Sequence, residues 1–152
     1  MELCKYFTPD WISAFASVVA AFGVFLAFGQ LKISKNIAQL EFEDGLAKEY
    51  RELASNIPTK ALLGVELSEE EFQKSFDELY RYIDLTNEQI SLRQRGRVKK
   101  EAWSNWLSGI KSNLERPSFK RAWSEIKEKS NSFQELRRLE NENFKIDPKS
   151  WS

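Results

Sequence analysis

The sequence predicts an all-α protein, in which an N-terminal transmembrane helix precedes a small helical cytosolic domain of about four helices. Three observations carry this expectation. The residues from Trp11 to Leu31 form an uncharged run of 21. Beyond Lys32, apolar residues recur at three- and four-residue intervals. No segment shows the β-branched alternation of a half-buried strand. The chain has 152 residues, and the roughly 120 left after the span support one modest core. The expected division is therefore 1–33, leader and span, and 34–152, cytosolic helical domain.

At about 1.5 Å rise per residue the uncharged run reaches roughly 30 Å, the hydrocarbon thickness of a bilayer. Every later apolar stretch is interrupted by charge, so one pass is expected. Ala27, Phe28 and Gly29 have the small-x-small look of a signal-peptide cleavage site. Against cleavage stand the length of the run, the acidic Glu2 and Asp10 before it, and Lys32 and Lys35 directly after it. Those lysines, with Lys48 and Arg51, outweigh Lys5 in the leader, which favours a cytoplasmic C-terminal domain on the cell inner membrane.

The span is expected to continue as a helix from Gln30 to Ser55, with Gly45 its weak point and Pro58 beyond its end. Thr59 to Gly64 reads as a short turn of helix or a loop. Ser68 and Glu71 form a capping box that opens a helix in which Phe72, Phe76, Leu79, Tyr80, Ile83, Asn87 and Ile90 recur every three or four residues. Gly96 is the expected left-handed C-terminal cap. A third helix, about Lys99 to Glu115, buries Trp103, Trp106, Leu107, Ile110 and Leu114. Pro117 suits the first turn of a fourth, in which Phe119, Trp123 and Ile126 line one side before Leu136 and Leu139 extend it. The tail from about Asn141 reads as loose, with Phe144 and Trp151 available to dock.

Composition narrows the chemistry. The chain has no histidine, and its one cysteine, Cys4, lies in the leader. This removes imidazole catalysis, a Cys-His nucleophile, a Ser-His-Asp triad and a zinc site. No glycine-rich phosphate loop is present. The acids around Glu69 to Glu71 suit a helix N-terminus electrostatically. A non-enzyme without cofactor or metal is expected.

Charge is unevenly distributed although the net is zero. Residues 36–92 hold 13 acids and five bases, and residues 93–152 hold 15 bases and eight acids. Two halves packing together, or an anion-binding surface, would each explain this. The densest positive run contains Arg93, Arg95, Arg97, Lys99 and Lys100. Its later members lie past the Gly96 cap, at a helix start where amide groups and cations together suit a phosphate. Trp103 and Trp106 follow directly, and with Tyr80 or Tyr82 they are candidates to stack a base, or else core. A second cluster, Arg116, Lys120 and Arg121, begins the fourth helix and would converge with the first if the helices are so oriented. Either patch would also suit an anionic lipid surface. Duplex nucleic acid is not an expected partner.

Within the span, Ser13, Ala16, Ala20, Gly23 and Ala27 step by three and four and place small residues on one face. Small faces let helices approach closely, so a homo-oligomer is expected.

The stretch from Tyr82 to Trp106 resembles a pattern in small bacterial single-pass membrane proteins. There a helix ending in Asn-Glu-Gln, leucine and glycine precedes one with two spaced tryptophans. The matching residues are Asn87, Glu88, Gln89, Leu92, Gly96, Val98, Trp103 and Trp106. Such proteins occur among phage-defence components, and the layout is similar to CRISPR type III membrane effectors that bind a cyclic oligoadenylate. The resemblance, with the basic run, implies a membrane-anchored, self-associating sensor and effector. It would bind a cyclic nucleotide-like ligand and perturb the membrane in antiviral defence. The alternative is a non-signalling membrane scaffold that binds a partner protein or anionic lipid.

Overall fold

The structure is a computed structural model describing residues 9–151, so Cys4 and Lys5 of the leader lie outside the described residues. Among the described residues it is all helical: α1 Pro9–Asn56, α2 Thr59–Leu62, α3 Glu69–Gln94, α4 Lys100–Leu114, α5 Pro117–Lys129 and α6 Gln134–Asn141, then a 3-10 turn at Pro148–Ser150. The chain divides into two compact units, residues 1–41 and 42–152.

In the first unit, α1 contains an apolar stretch long enough to cross a membrane, and none of that stretch is buried within the protein. Its aromatic and aliphatic side chains, including Phe15, Val18, Phe22 and Phe25, are exposed all round the helix. An exposed apolar helix of this kind needs lipid or another helix around it.

The second unit is built on α3, whose main contacts run to α5, α6 and the 3-10 turn. Its start follows from local chemistry. Glu71 N–H donates to Ser68 Oγ at 3.3 Å, and Ser68 N–H donates to the Glu71 carboxylate at 3.0 Å. These two bonds satisfy donors that a helix start leaves orphaned. Lys60 Nζ donates to Glu71 at 2.9 Å, and this bond, with that from Ser68, holds the carboxyl at about 2. The folded value lies below the ordinary 4.5, so the charged form stabilises the fold fully above about 4.5, and that contribution is lost as pH falls toward 2. Two results are expected: Ser68→Ala costs about 1 kcal/mol in thermal melts, and Lys60→Ala moves the Glu71 midpoint upward in a carboxyl NMR titration. An unmoved midpoint would show that the lysine plays no part.

At the other end, Gly96 adopts φ +70°, Gly96 N–H donates to the Arg93 carbonyl, and Arg97 N–H donates to that of Leu92, both at 3.0 Å. This is the Schellman arrangement that a left-handed glycine permits.

Two expectations are corrected. Leu136 and Leu139 do not extend α5: the chain breaks after Lys129, Phe133 takes φ 63°, and α6 begins separately. No side chain in sequence caps α6. Asn87 of α3 does so instead, accepting from Leu136 N–H at 3.0 Å and donating to Glu135 at 3.0 Å. Nor is the tail loose. Pro148 and Trp151 are buried, Trp151 Nε1 donates to Glu142 at 2.7 Å, and Arg138 lies 4.5 Å over the indole.

Candidate functional site

The basic run divides at the end of α3. Arg93 is only 4% exposed, because it lies on the buried face of α3 formed by Tyr82, Thr86 and Gln89. Its Nε donates to Asp147 at 2.8 Å, a second nitrogen donates to the other Asp147 oxygen, and Nη1 donates to the Val98 carbonyl at 2.7 Å. Three of its five N–H donors are committed to these partners, and the side chain is too buried to present the other two to an external ligand. Arg93 is thus removed from the candidate ligand set and serves as an internal clasp between the α3–α4 turn and the tail. The guanidinium holds the Asp147 carboxyl below its ordinary range.

Arg95, Arg97 and Lys100 are exposed on the turn, and Lys99 is half-buried. The clasp adds a cation that the run does not contain, because a side chain at Gly96 would sit 3.9 Å from Lys149 Cε. The start of α4 differs from expectation in one respect. Lys99 N–H donates at 2.6 Å to the carboxylate of Glu43, a buried acid near the C-terminal end of α1. The amide expected to help bind an external phosphate therefore holds an internal carboxylate. Trp103 is corrected too: at 3% exposure it belongs to the core and presents no face for stacking.

The second cluster does not converge with the first. Arg121 donates to Glu69 at 2.9 Å, pairs with Glu125 at 3.2 Å and lies 3.8 Å over the Phe72 ring, so it is fixed at the start of α3. The basic turn lies at the other end, and 24 residues of helix separate Glu69 from Arg93, about 36 Å. Arg116 lies beside Gly64, and exposed Lys120 lines a cavity of about 270 Å³ with Trp123 and Lys127. Lys127 there is paired with Glu140 at 2.8 Å.

A different cavity, of about 280 Å³, opens among α1, α3 and α4 within the second unit. Tyr50, Arg51, Gln89, Asn105, Trp106 and Ile110 are among its lining. Behind it, Asn113 donates to the hydroxyls of Tyr82 at 2.8 Å and Tyr50 at 3.4 Å. Burial pushes the Tyr82 hydroxyl up to about 12, so it stays protonated at neutral pH. Of the residues that the sequence offered as stacking partners, Trp106 and Tyr82 meet here, whereas Tyr80 packs on Phe133. Gln89 and Arg51 were not legible as site residues. The available signal was a second stripe on α3, Ser75, Leu79, Tyr82, Thr86, Gln89 and Arg93, all buried, which marks a helix covered on two sides.

On α1, Ser13, Ala16, Ala20, Gly23 and Ala27 are all exposed, and a side chain added at Gly23 would meet nothing within 4 Å. No protein-family model, curated protein or solved structure matches the chain.

Proposed function

We propose that this chain is a single-pass membrane-anchored sensor whose second unit binds an anionic ligand at the α3–α4 turn. The reading is carried by the cation cluster around Gly96: Arg95, Arg97, Lys99 and Lys100 from the turn, joined by Lys149 through the Arg93–Asp147 clasp. Like charges gathered on a rigid turn cost stability unless an anion offsets them. Asp147, clasped by Arg93, also interacts electrostatically with Lys100, so one acid is shared between two of the nearby cations. Self-association through the small-residue face of α1 belongs to the same proposal, since a single helix lines a pore only as an oligomer. The resemblance to phage-defence proteins makes a cyclic oligoadenylate the first organic ligand to try.

A second reading has its own support. Glu43, which holds Lys99, follows Leu31 by twelve residues, so the chain keeps the turn within about 40 Å of the apolar stretch whatever its path. Anionic lipid headgroups would be within reach of such a tether.

Full-length protein in nanodiscs of zwitterionic lipid, titrated calorimetrically with tripolyphosphate and with a cyclic oligoadenylate, tests the first reading. Wild type is expected to bind at least one of them, and Arg95→Glu/Lys100→Glu to weaken that binding tenfold or more. Binding of neither, or binding that ignores the reversal, would overturn it. In nanodiscs containing anionic lipid, a rise in melting temperature that the reversal abolishes would then favour the lipid-bound scaffold.

A further inference from the structure

Among the polar residues of α3 that are buried as a whole, Ser75, Thr86, Gln89 and Arg93, Gln89 is the exception. It is 5% exposed, yet its carboxamide has no hydrogen-bond partner among the described residues. Its neighbours are satisfied. Thr86 Oγ1 donates to the Tyr82 carbonyl at 2.8 Å, Asn87 bridges to α6, and Arg93 is clasped to Asp147. Nor are the Gln89 amide atoms among the sealed, unpartnered buried ones, which are Glu78 Oε2, Ser118 Oγ and Trp123 Nε1. Its carboxamide atoms therefore keep some accessible surface, and Gln89 lines the α1–α3–α4 cavity. A donor and an acceptor side by side are aimed into that space.

The remaining lining narrows what the space takes. Tyr50 and Trp106 are half-buried there, offering aromatic surface, and Ile110 adds an apolar wall. Arg51 stands exposed beside them, with no ion pair among the described residues. A cation is disfavoured by that guanidinium. A plain hydrocarbon would leave Gln89 unpaired. A volume of about 280 Å³ lies at the lower end for small-molecule sites, roughly 300–1,000 Å³, so the cavity itself takes one planar ring system, and the rest of the occupant extends outward past the exposed Arg51.

We propose that this cavity is a second ligand site, separate from the basic turn, for a planar nitrogen heterocycle carrying one anionic group. Trp106 and Tyr50 flank the ring, the Gln89 carboxamide pairs with a donor–acceptor edge of it, and Arg51 takes the anion. Carboxamides read heterocycle edges by two parallel bonds in this way elsewhere in protein chemistry. The Asn113 bonds keep both tyrosines in place.

The test uses the full-length chain in detergent and two readouts, quenching of tryptophan fluorescence and calorimetry. The probes are the nucleoside monophosphates AMP, GMP, CMP and UMP, the matching nucleosides, benzoate and inorganic phosphate. At least one monophosphate is expected to bind more tightly than its nucleoside, and benzoate and phosphate not to compete. Gln89→Leu should weaken that binding at least tenfold while raising the melting temperature, because it removes an unpaired buried amide. Arg51→Gln should weaken the monophosphate alone, leaving the nucleoside unchanged. Arg95→Glu/Lys100→Glu should leave this binding intact, which separates the site from that of the turn. Absence of binding by every heterocycle would overturn the proposal, as would Gln89→Leu binding like wild type. Loss of binding in the turn variant but not in Gln89→Leu would assign the ligand to the turn instead.

Discussion

Replacing Arg93 with methionine is expected to destabilise the protein by about 2–4 kcal/mol. Methionine fills the space of the arginine stem but strands two partners: the Asp147 carboxylate and the Val98 carbonyl. Breaking a buried pair from one side is costly because the other charge is left without its counterpart. The Asp147 side chain is 36% exposed and partly rehydrates, which keeps the loss below that of a sealed pair. Arg93→Lys should recover less than half, because an ammonium cannot make the bidentate fork. The clasp also has a pH signature. The folded carboxyl value of Asp147 is depressed from 3.8, chiefly by Arg93, so the clasp stabilises fully above about pH 4 and fades as pH falls further. That acid sensitivity should be missing from Arg93→Met. Thermal melts of the full chain between pH 3 and 7 measure both effects, and a loss below about 0.5 kcal/mol would show that the tail docks without the clasp. Anion binding at the turn should weaken in the same variant, since Lys149 reaches Gly96 through this bridge.

Trp103→Ala is expected to cost about 3–5 kcal/mol, the range for removing a large aromatic from a packed interior. Trp103 is as buried as Trp123, Ile110 and Ile126, and no neighbour can swing in to fill such a space without disturbing others. Trp103→Phe should cost far less and leave anion binding at the turn unchanged. If the phenylalanine variant folds normally but loses that binding, Trp103 touches the ligand after all, and its assignment to the core is wrong. Trp106, three residues on, gives the opposite expectation: its removal should cost less stability and should alter quenching by a ligand in the cavity.

The helix boundaries were largely legible, because they depend on short-range chemistry. Ser68 with Glu71, Gly96 and Pro117 act within one turn of their own positions, so the same residues punctuate helices in any fold. The joint between α5 and α6 was not, because nothing in its own sequence caps α6; Asn87, on another helix, supplies the acceptor. The tail misled for a similar reason. Its polar composition looks solvated, and the partner that orders it, Arg93, lies 54 residues away in sequence.

The basic run shows most clearly where sequence stops. By itself the sequence determined that the protein is all-α, that one helix carries an apolar stretch long enough to cross a bilayer, and that cations cluster after α3. Which of those cations face water was decided only by the tertiary structure. Arg93 and Arg95 are two residues apart, and at about 100° per residue they point to nearly opposite sides of the helix. One therefore turns into the domain to meet Asp147, and the other stays outside. The same holds for Gln89 and Glu43, whose roles are set by what α1, α3 and α4 bring alongside them. Local propensity depends on neighbours in the chain, whereas burial, pairing and the shape of a cavity depend on neighbours in space.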